Sequence, residues 1–501
     1  MLETNPTFRP IRVRDGYPPL EDLGLIGDGA TVALVGLDGS IHWLCLPRFD
    51  SEPVFCSLLD RERGGHFTIT PDELTEARQL YQPDTGVLVT ELRSPTGLVR
   101  LTDALALRSG ADLTDDVPGG RGELVRSAVV LDGNVRLRVE LEPRGGAQTW
   151  MAASGLRLNP SRRPDLQLHL RSSLPLSGLH DTYDLKQGDS LDLVLSWGRS
   201  HRHHRFDAGA MLQATTAAWR RWMTHFSYEG LQEPLVRRAA ITLKLCDHWV
   251  NGSLVAAPTS SLPAPVGGVR NWDYRYTWIR DAAFTVFALR RIGFGIEADA
   301  FLGWVLDAFE QSRQPRIMYD LDGSPVPDER EDPELEGYRR SAPVRWGNGA
   351  ADQRQHDVYG EILDCADPVG PQRRPARAVA VGGAGPAGRH GRRRLAAAGP
   401  GHLGGTQRGP GLHLFRGDVP GGPGPRRGHR RRLDLPGPVP AWRSAADKLR
   451  QTILDQSWDE DAQTLSEHLN GGGSLDASLL ALPLRRVLPA ATHAWWPPPP
   501  P

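Results

Sequence analysis

The spacing of apolar residues changes once along this chain of 501 residues, near Ala210, and that change limits what it can fold into. From residue 20 to about residue 205, short apolar runs are cut by Gly, Asp and Pro: TVALVG, GSIHWLCLP, HFTIT, GVLVTELRS, LVRSAVVL, VRLRVELEP, LQLHLRS and LDLVLSWG. VRLRVELEP alternates apolar and charged residues with period two, as a half-exposed antiparallel strand does. Asp38-Gly39 between ALVGL and SIHWL predicts a hairpin turn. Many such strands at close spacing predict a β-sandwich. Beyond Ala210 the period is helical. AMLQATTAAWRRWM predicts a helix linking the sandwich to a helical domain. Val236, Ala239, Ala240, Leu243 and Val250 form one predicted stripe. Ala298, Phe301, Leu302, Val305, Leu306 and Phe309 form another, at i, i+3, i+4, i+7, i+8 and i+11.

A chain this long exceeds one ordinary core, so two or three domains are expected. Its net charge of −1 argues against a nucleic-acid partner, which would call for a basic surplus. Cys45, Cys56, Cys246 and Cys365 are scattered, with no C-x-x-C pair, so neither a zinc site nor a disulfide framework is predicted. MLETNPTFRPIRVRDGYPP has no apolar stretch of the secretory kind, and no run of 18 apolar residues occurs. The expectation is a cytoplasmic protein without a membrane partner. His201, His203 and His204 lie in SHRHHRFD, at a spacing that suits no standard metal site. A solvated loop is predicted there, and no metal.

Chemistry concentrates in Gly267 to Asp281, GGVRNWDYRYTWIRD. Trp272, Tyr274, Tyr276 and Trp278 are interleaved with Arg270, Asp273, Arg275, Arg280 and Asp281. Aromatic faces cover the C–H faces of a sugar, and an Arg/Asp pair hydrogen-bonds several hydroxyls. A buried aromatic cluster with surface salt bridges is the plainer alternative. The run Tyr274, Trp278, Arg280, Asp281 resembles the Tyr-x-x-x-Trp-x-Arg-Asp signature of glycoside hydrolase family 15, the glucoamylases and their trehalase relatives. The resemblance implies an (α/α)6 barrel, or toroid, with the site at one mouth. It implies that Arg280 and Asp281 hold the hydroxyls of a sugar whose faces pack on Tyr274 and Trp278. Trp272, Arg345 and Asp357 are further candidates.

Three more blocks carry the resemblance. Asp22 to Asp60 is similar to the trehalase-like N-terminal domain of bacterial members. A loop of that domain reaching the site would make Asp38, Trp43 and Asp50 candidates; turn residues and a core tryptophan are the plainer reading. RIMYDLDGSPVP, from Arg316, matches a family loop. GYRRSAPVRWGNGAADQRQHDVYGEILD, from Gly337, resembles GYRGSRPVRIGNAAADQLQLDVYGE and departs from it at Arg340, Ala342, Trp346, Gly349, Arg354 and His356. Ala342 in place of Arg predicts a weakened substrate contact. Asp320, Asp322 and Glu361 are expected to be loop and scaffold residues.

After Ala366 the character changes. Residues 367 to 430 hold twelve Arg, no Lys, two Asp and no Glu. A basic linker is one reading; a reading-frame error in a GC-rich gene is the better one. GHLGGTQ, from Gly401, shifted by one base can read Gly-Ile-Trp-Glu-Val-Arg. Frame returns near Leu433, where Trp442, Ala446, Leu449 and Ile453 form a helical stripe, and fails again at ATHAWWPPPPP. The expected plan is a tail (1–19), the sandwich (20–208), a linker helix (209–230), the first part of the helical domain (231–366), an aberrant segment (367–432), a further helical part (433–489) and an aberrant tail (490–501).

The resemblance implies hydrolysis of an α-glucosidic bond with inversion, releasing glucose from a starch-type oligosaccharide or from trehalose, without a cofactor. Inversion needs two carboxyl groups about 6.5–9.5 Å apart. The general acid belongs to the Gly-Ile-Trp-Glu motif, and its codon would straddle Gly404 and Gly405. The general base of the family lies beyond the last residue of this sequence. No catalytic glutamate is therefore assigned, and an inactive chain with an incomplete toroid and open apolar faces is expected. The alternative from another class is a non-catalytic sugar-binding remnant. A third, a nucleic-acid-binding insert in the Arg-rich segment, is opposed by its lack of Lys and its single aromatic, Phe415.

Overall fold

The computed structural model describes residues 6–115, 117–197, 206–312, 315–355, 357–366, 439–461, 464–466, 468 and 469, with 479, 482 and 487. The chain forms two compact units, Met1–Gly370 and Pro371–Pro501. The expectations for His201, His203, His204 and His356, and for the aberrant segments, fall outside the described residues.

The first half of unit one is two antiparallel sheets over one core. The larger runs in the order Arg9–Pro10, Glu76–Tyr81, Leu88–Ser94, Gly97–Leu107, Gly120–Glu142, Ser190–Trp197, Leu168–Ser172, Gly155–Pro160 and Ala147–Ala152. The smaller links Leu23–Gly27, Val32–Gly36, Ser40–Cys45 and His66–Pro71 to the same long strand, Gly120–Glu142. That strand serves both sheets. Residues up to Gly133 pair with Gly97–Leu107, and Asn134 onward pairs with His180–Lys186. Gly133 has φ +75°, and a Cβ there would lie 2.1 Å from the Thr96 carbonyl oxygen, so the crossing point requires glycine. Ile26, Ile41 and Phe67 of one sheet and Leu101, Leu124 and Leu193 of the other are fully buried in one cluster.

A buried ion pair joins the sheets. Arg126 Nε donates to Asp103 Oδ1 at 2.8 Å, and both side chains are wholly enclosed. The other guanidinium nitrogens donate to the carbonyls of Gly39 and Phe67 on the smaller sheet. The predicted hairpin turn at Asp38-Gly39 is present, with Gly39 at φ +81° and Ser40 N bonded to Asp38 Oδ1 at 3.0 Å.

Helix α1, Ala208–Met223, begins where the period changes, capped by the Asp207 carboxylate on Ala210 N at 2.9 Å. Rather than only linking two domains, it is a core element. Trp219 and Trp222 are buried among Leu107 and Leu113 of the sandwich and Leu245 and Phe294 of the helical part. Trp222 stacks on Phe294 with ring centroids 3.9 Å apart.

Helices α2 (Glu233–Leu245), α3 (Ile279–Arg291), α4 (Gly295–Ser312) and α5 (Asp357–Ala366) follow. The α2 stripe differs from expectation. Ala240, Ile241, Lys244 and Leu245 are buried, Ala239 is exposed, and Val250 lies beyond the helix, 53% exposed. The helix stops at Leu245 because Asp247–His248 turns back to pair with Ser253–Leu254. On α4, Ala298, Phe301, Val305 and Phe309 are buried as predicted, joined by Trp304 and Ala308, while Leu302 and Leu306 are half-buried. α3, α4 and α5 share a core that includes Ile279, Val286, Phe301, Val305, Val358 and Ile362. Among the described residues these helices form no closed ring.

In unit two, α6 (Val439–Gln456) precedes a short hairpin of Trp458–Asp459 and Thr464–Leu465. Of its predicted stripe, Ala446 and Leu449 are exposed and Ile453 is half-buried, while the side chain of Trp442 lies outside the described residues. No helix among the described residues is long and apolar enough to cross a membrane.

Candidate active site

The aromatic motif is two short strands running into a helix. Asn271–Asp273 pairs with Ser260–Pro263, and Thr277–Trp278 pairs with Met318–Tyr319. α3 then starts at Ile279, so Arg280 and Asp281 occupy its first turn. A carboxylate there faces the positive end of the helix dipole. Extended backbone sends successive side chains to opposite sides. Asp273, Arg275 and Thr277 accordingly point inward and are buried, while Tyr274 and Trp278 keep open faces. Tyr276 breaks the alternation and is buried at 5% exposure.

The open side chains converge. The rings of Tyr274 and Trp278 have centroids 6.5 Å apart and tilt by 38°. The Arg280 guanidinium lies 5.6 Å from the Trp278 ring centroid. Arg280 Nη1 donates to Asp357 Oδ2 at 2.6 Å and to Gln355 Oε1 at 3.0 Å. Both bonds run through Nη1, and among the described residues the Nε and Nη2 edge has no hydrogen-bond partner, which leaves it for the hydroxyls of a ligand. Asp357 Oδ1 is enclosed and accepts no hydrogen bond from the described residues.

Asp281 is reached by solvent, yet the surrounding protein lifts its carboxyl above the ordinary range. Arg280 opposes that rise and Asp357 adds to it. Desolvation also raises the Tyr274 hydroxyl, with a further push from Asp281 and a counter-pull from Arg270. Tyr274, Arg280, Asp281 and Asp357 thus share one electrostatic neighbourhood.

Trp272, on the strand Asn271–Asp273, and Arg345, on the strand Val344–Trp346, form a second cluster. The Arg345 guanidinium lies 4.6 Å from the Trp272 ring centroid and pairs with Glu329 at 3.2 Å and Glu331 at 3.3 Å. Arg345 Nη1 also donates to the Val269 carbonyl at 2.8 Å. These contacts place Arg345 over Trp272 rather than beside Arg280.

The remaining candidates have local tasks. Trp43 is a core residue, 1% exposed, with Nε1 donating to the Pro258 carbonyl at 2.9 Å. Asp38 holds its own turn and meets His42 Nε2 at 3.2 Å. Asp50 pairs with Arg48, whose Nη1 reaches Asp322 at 2.8 Å. Asp320 Oδ1 accepts from Asp322 N at 2.7 Å, as a loop residue does. Glu361 is buried on α5. Among the described residues, no group of His, Cys, Asp and Glu is arranged to hold a metal ion.

Three residues have roles that were not foreseen. Gln355 fixes Arg280 from a loop, and no spacing rule marks it. In the sequence, Asp273 and Arg275 read only as two of the charged residues interleaved with the aromatic ones. The structure turns them inward, with Arg275 Nε and Nη2 bonded to Asp273 at 2.9 and 2.7 Å.

Comparison with known proteins bears on this geometry. Residues 231–366 match the family described as Glycosyl hydrolases family 15, and residues 13–164 match the one described as Trehalase-like, N-terminal. A trehalase of Mycolicibacterium smegmatis is 33% identical over 382 residues, covering 70% of this chain and 57% of the relative. A trehalase of Thermoplasma volcanium is 34% identical over 360 residues, with the same two coverages of 70% and 57%. The chain therefore spans 57% of the length of these curated relatives. A bacterial glucoamylase solved in complex with acarbose aligns at 13% identity and a TM-score of 0.44, over 64% of this chain and 54% of that one. Residues 231–366 are thus a glycosyl hydrolases family 15 region, and residues 13–164 a trehalase-like N-terminal region.

Proposed function

We propose that Tyr274, Trp278, Arg280 and Asp281 form the glucose-holding site of a trehalase-type glycoside hydrolase, with Asp357 fixing Arg280 and with Trp272 and Arg345 on its rim. One observation carries this reading: a guanidinium anchored at one nitrogen, with its other edge bonded to none of the described residues, lies beside two open aromatic faces. A pyranose placed there stacks its C–H face on Trp278 and Tyr274. Arg280 donates to its hydroxyls and Asp281 accepts from them. Trehalose is favoured over maltooligosaccharides because the relatives described above are trehalases.

The reaction assigned to the complete site is inverting hydrolysis of an α-glucosidic bond. One carboxylic acid protonates the leaving oxygen while a carboxylate on the opposite face activates water. No cofactor enters. The Gly-Ile-Trp-Glu motif that would carry the general acid has no counterpart in this sequence, so we read the chain as binding the sugar without cleaving it. The family 15 match supports this reading by ending at residue 366, where the composition turns to Arg, Gly and Pro. The helical part is read as one portion of an (α/α)6 toroid. A cytoplasmic location fits the four cysteines, all free thiols, as expected in a reducing compartment.

The test is trehalose binding by calorimetry together with glucose release, on the purified chain and on Arg280→Ala. The expected result is binding that the variant loses, and no glucose from either protein. Glucose release by the unaltered chain but not by the variant would mean that other carboxyl groups serve as acid and base. Equal binding by both proteins would refute the site.

A further inference from the structure

Arg275 is the most heavily engaged side chain in the motif, and the sugar-holding site does not use it. Its guanidinium is 3% exposed and pairs side-on with Asp273. Nη1 donates to the Ser51 carbonyl at 2.6 Å, in the loop that follows the sandwich strand Ser40–Cys45. The same guanidinium lies 4.9 Å from the centroid of the Trp346 ring. Trp346 is itself fixed from the sandwich side. Its ring stacks with Trp43, centroids 6.4 Å apart, and its Nε1 donates to Asp332 Oδ2 at 2.9 Å. Arg144, from the turn after the long sandwich strand, holds that same oxygen at 2.7 Å.

Asp273 closes the arrangement. Besides Arg275, its Oδ2 accepts from Gly347 N at 3.2 Å, and its carbonyl accepts from Asn348 Nδ2 at 2.8 Å. The strand bearing Trp272 and Tyr274 is thereby tied to the segment bearing Arg345, and both are tied to the sandwich. Each tie is one residue away in sequence from a side chain of the site: Asp273 lies between Trp272 and Tyr274, and Trp346 follows Arg345.

We infer that Arg275 is a positioning residue, through which the N-terminal sandwich sets the spacing between the Tyr274/Trp278 platform and the Trp272/Arg345 rim. The inference rests on the sugar-site reading above. A guanidinium is needed because three tasks fall to one planar group: a two-point bond to Asp273, donation to a backbone carbonyl, and stacking on an indole. Lysine keeps the charge but performs only part of this. The consequence is that the sandwich belongs to the binding site without touching the sugar.

The experiment compares trehalose affinity in the full chain for Arg275→Lys, Trp346→Phe and Arg126→Lys, at a temperature where each is fully folded by circular dichroism. Arg126→Lys is the control. It weakens an equally buried Arg–Asp pair, inside the sandwich and away from the motif. We expect Arg275→Lys to raise the trehalose Kd at least about fivefold and Trp346→Phe to raise it less. Arg126→Lys should lower the melting temperature comparably and leave Kd unchanged. Trp346→Phe carries the test if Arg275→Lys fails to fold. An unchanged Kd in the folded Arg275 or Trp346 variant, with binding lost in Arg280→Ala, overturns this inference alone. A raised Kd in Arg126→Lys equal to that of Arg275→Lys also overturns it, because general loosening would then explain both. Equal binding by Arg280→Ala and the unaltered chain refutes the sugar site, and this inference with it.

Discussion

Arg280 and Asp357 meet at 2.6 Å, joining the first turn of α3 to the first residue of α5. The two residues are 77 positions apart and both are partly open to solvent. An ion pair this exposed adds little to stability, about 0–1 kcal/mol. Its value is orientational: it fixes a long side chain before a ligand arrives. Asp357→Asn should therefore leave the melting temperature within a degree or two while weakening trehalose binding about tenfold, near 1.4 kcal/mol. Calorimetric titration beside a thermal melt checks both halves. A large loss of stability with unchanged affinity would make Asp357 a scaffold residue.

Asp28 gives a pH-dependent expectation. Its carboxyl is buried in the turn after Leu23–Gly27 and accepts the backbone N–H groups of Ala30 and Thr31. Desolvation pushes its pKa up to about 6, against the two hydrogen bonds that lower it. The folded state thus holds its proton more tightly than the unfolded state, whose ordinary value is near 3.9. Stability from this group is greatest below that value, falls as pH rises from about 4 to 6, and stays reduced above it. Asp28→Asn keeps an acceptor and removes the charge. It should stabilise the protein at pH 7.5 by on the order of 2–3 kcal/mol and do nothing near pH 4. Urea unfolding at the two pH values tests this; equal gains at both would rule out ionisation as the cause.

Lys244 sits between α2 and α4 at 4% exposure, 2.8 Å from Asp247 and 3.2 Å from Glu297. Glu297 also accepts from Trp222 Nε1 at 2.6 Å. Removing the cation leaves two enclosed carboxyl groups facing each other. Lys244→Met should cost about 3–5 kcal/mol, the usual penalty for stranding a buried charge. Chemical denaturation monitored by tryptophan fluorescence reads this out. A loss under 1 kcal/mol would mean that water reaches the cluster.

Arg340 has φ +60°, in the left-handed region that non-glycine residues enter at a cost of about 1–2 kcal/mol. Its neighbour Arg339, at φ +51°, is held by Asp15 at 2.8 Å, whereas the Arg340 side chain has, among the described residues, only a long 3.6 Å contact with Glu336. Arg340→Gly restores the residue that the family block carries there. After the entropy lost to a freer unfolded chain, it should stabilise by about 0.5–1 kcal/mol. A raised urea midpoint with unchanged slope is the expected outcome, and a lowered one would show that the arginine side chain contributes more than its strain removes.

What the sequence revealed, and what it concealed, follows from how each residue is used. The change of period near Ala210 located α1 because both patterns are local. Asp38-Gly39 announced its turn for the same reason. Asp132-Gly133 carried an identical local signal and meant something else. It looks like a hairpin between LVRSAVVL and VRLRVELEP, yet the chain runs straight on as one strand while its partners change. Only the second layer makes that choice. In the motif, Trp278, Arg280 and Asp281 were legible because their side chains face outward, where composition hints at ligands. Arg275 was opaque because a buried arginine and an exposed one are the same letter. Its partners, the Ser51 carbonyl and the Trp346 ring, lie 224 and 71 positions away.

Trp219 and Trp222 of α1 are buried among sandwich residues and helical-domain residues at once. Neither half of the first unit can melt while the other keeps its packing, because each would strip the same two indoles. Heating should therefore give one calorimetric transition for residues 6–366 instead of two. The first unit then behaves as a single cooperative body, and an amide deep in the sandwich should exchange its hydrogen only as fast as one in the core of α4.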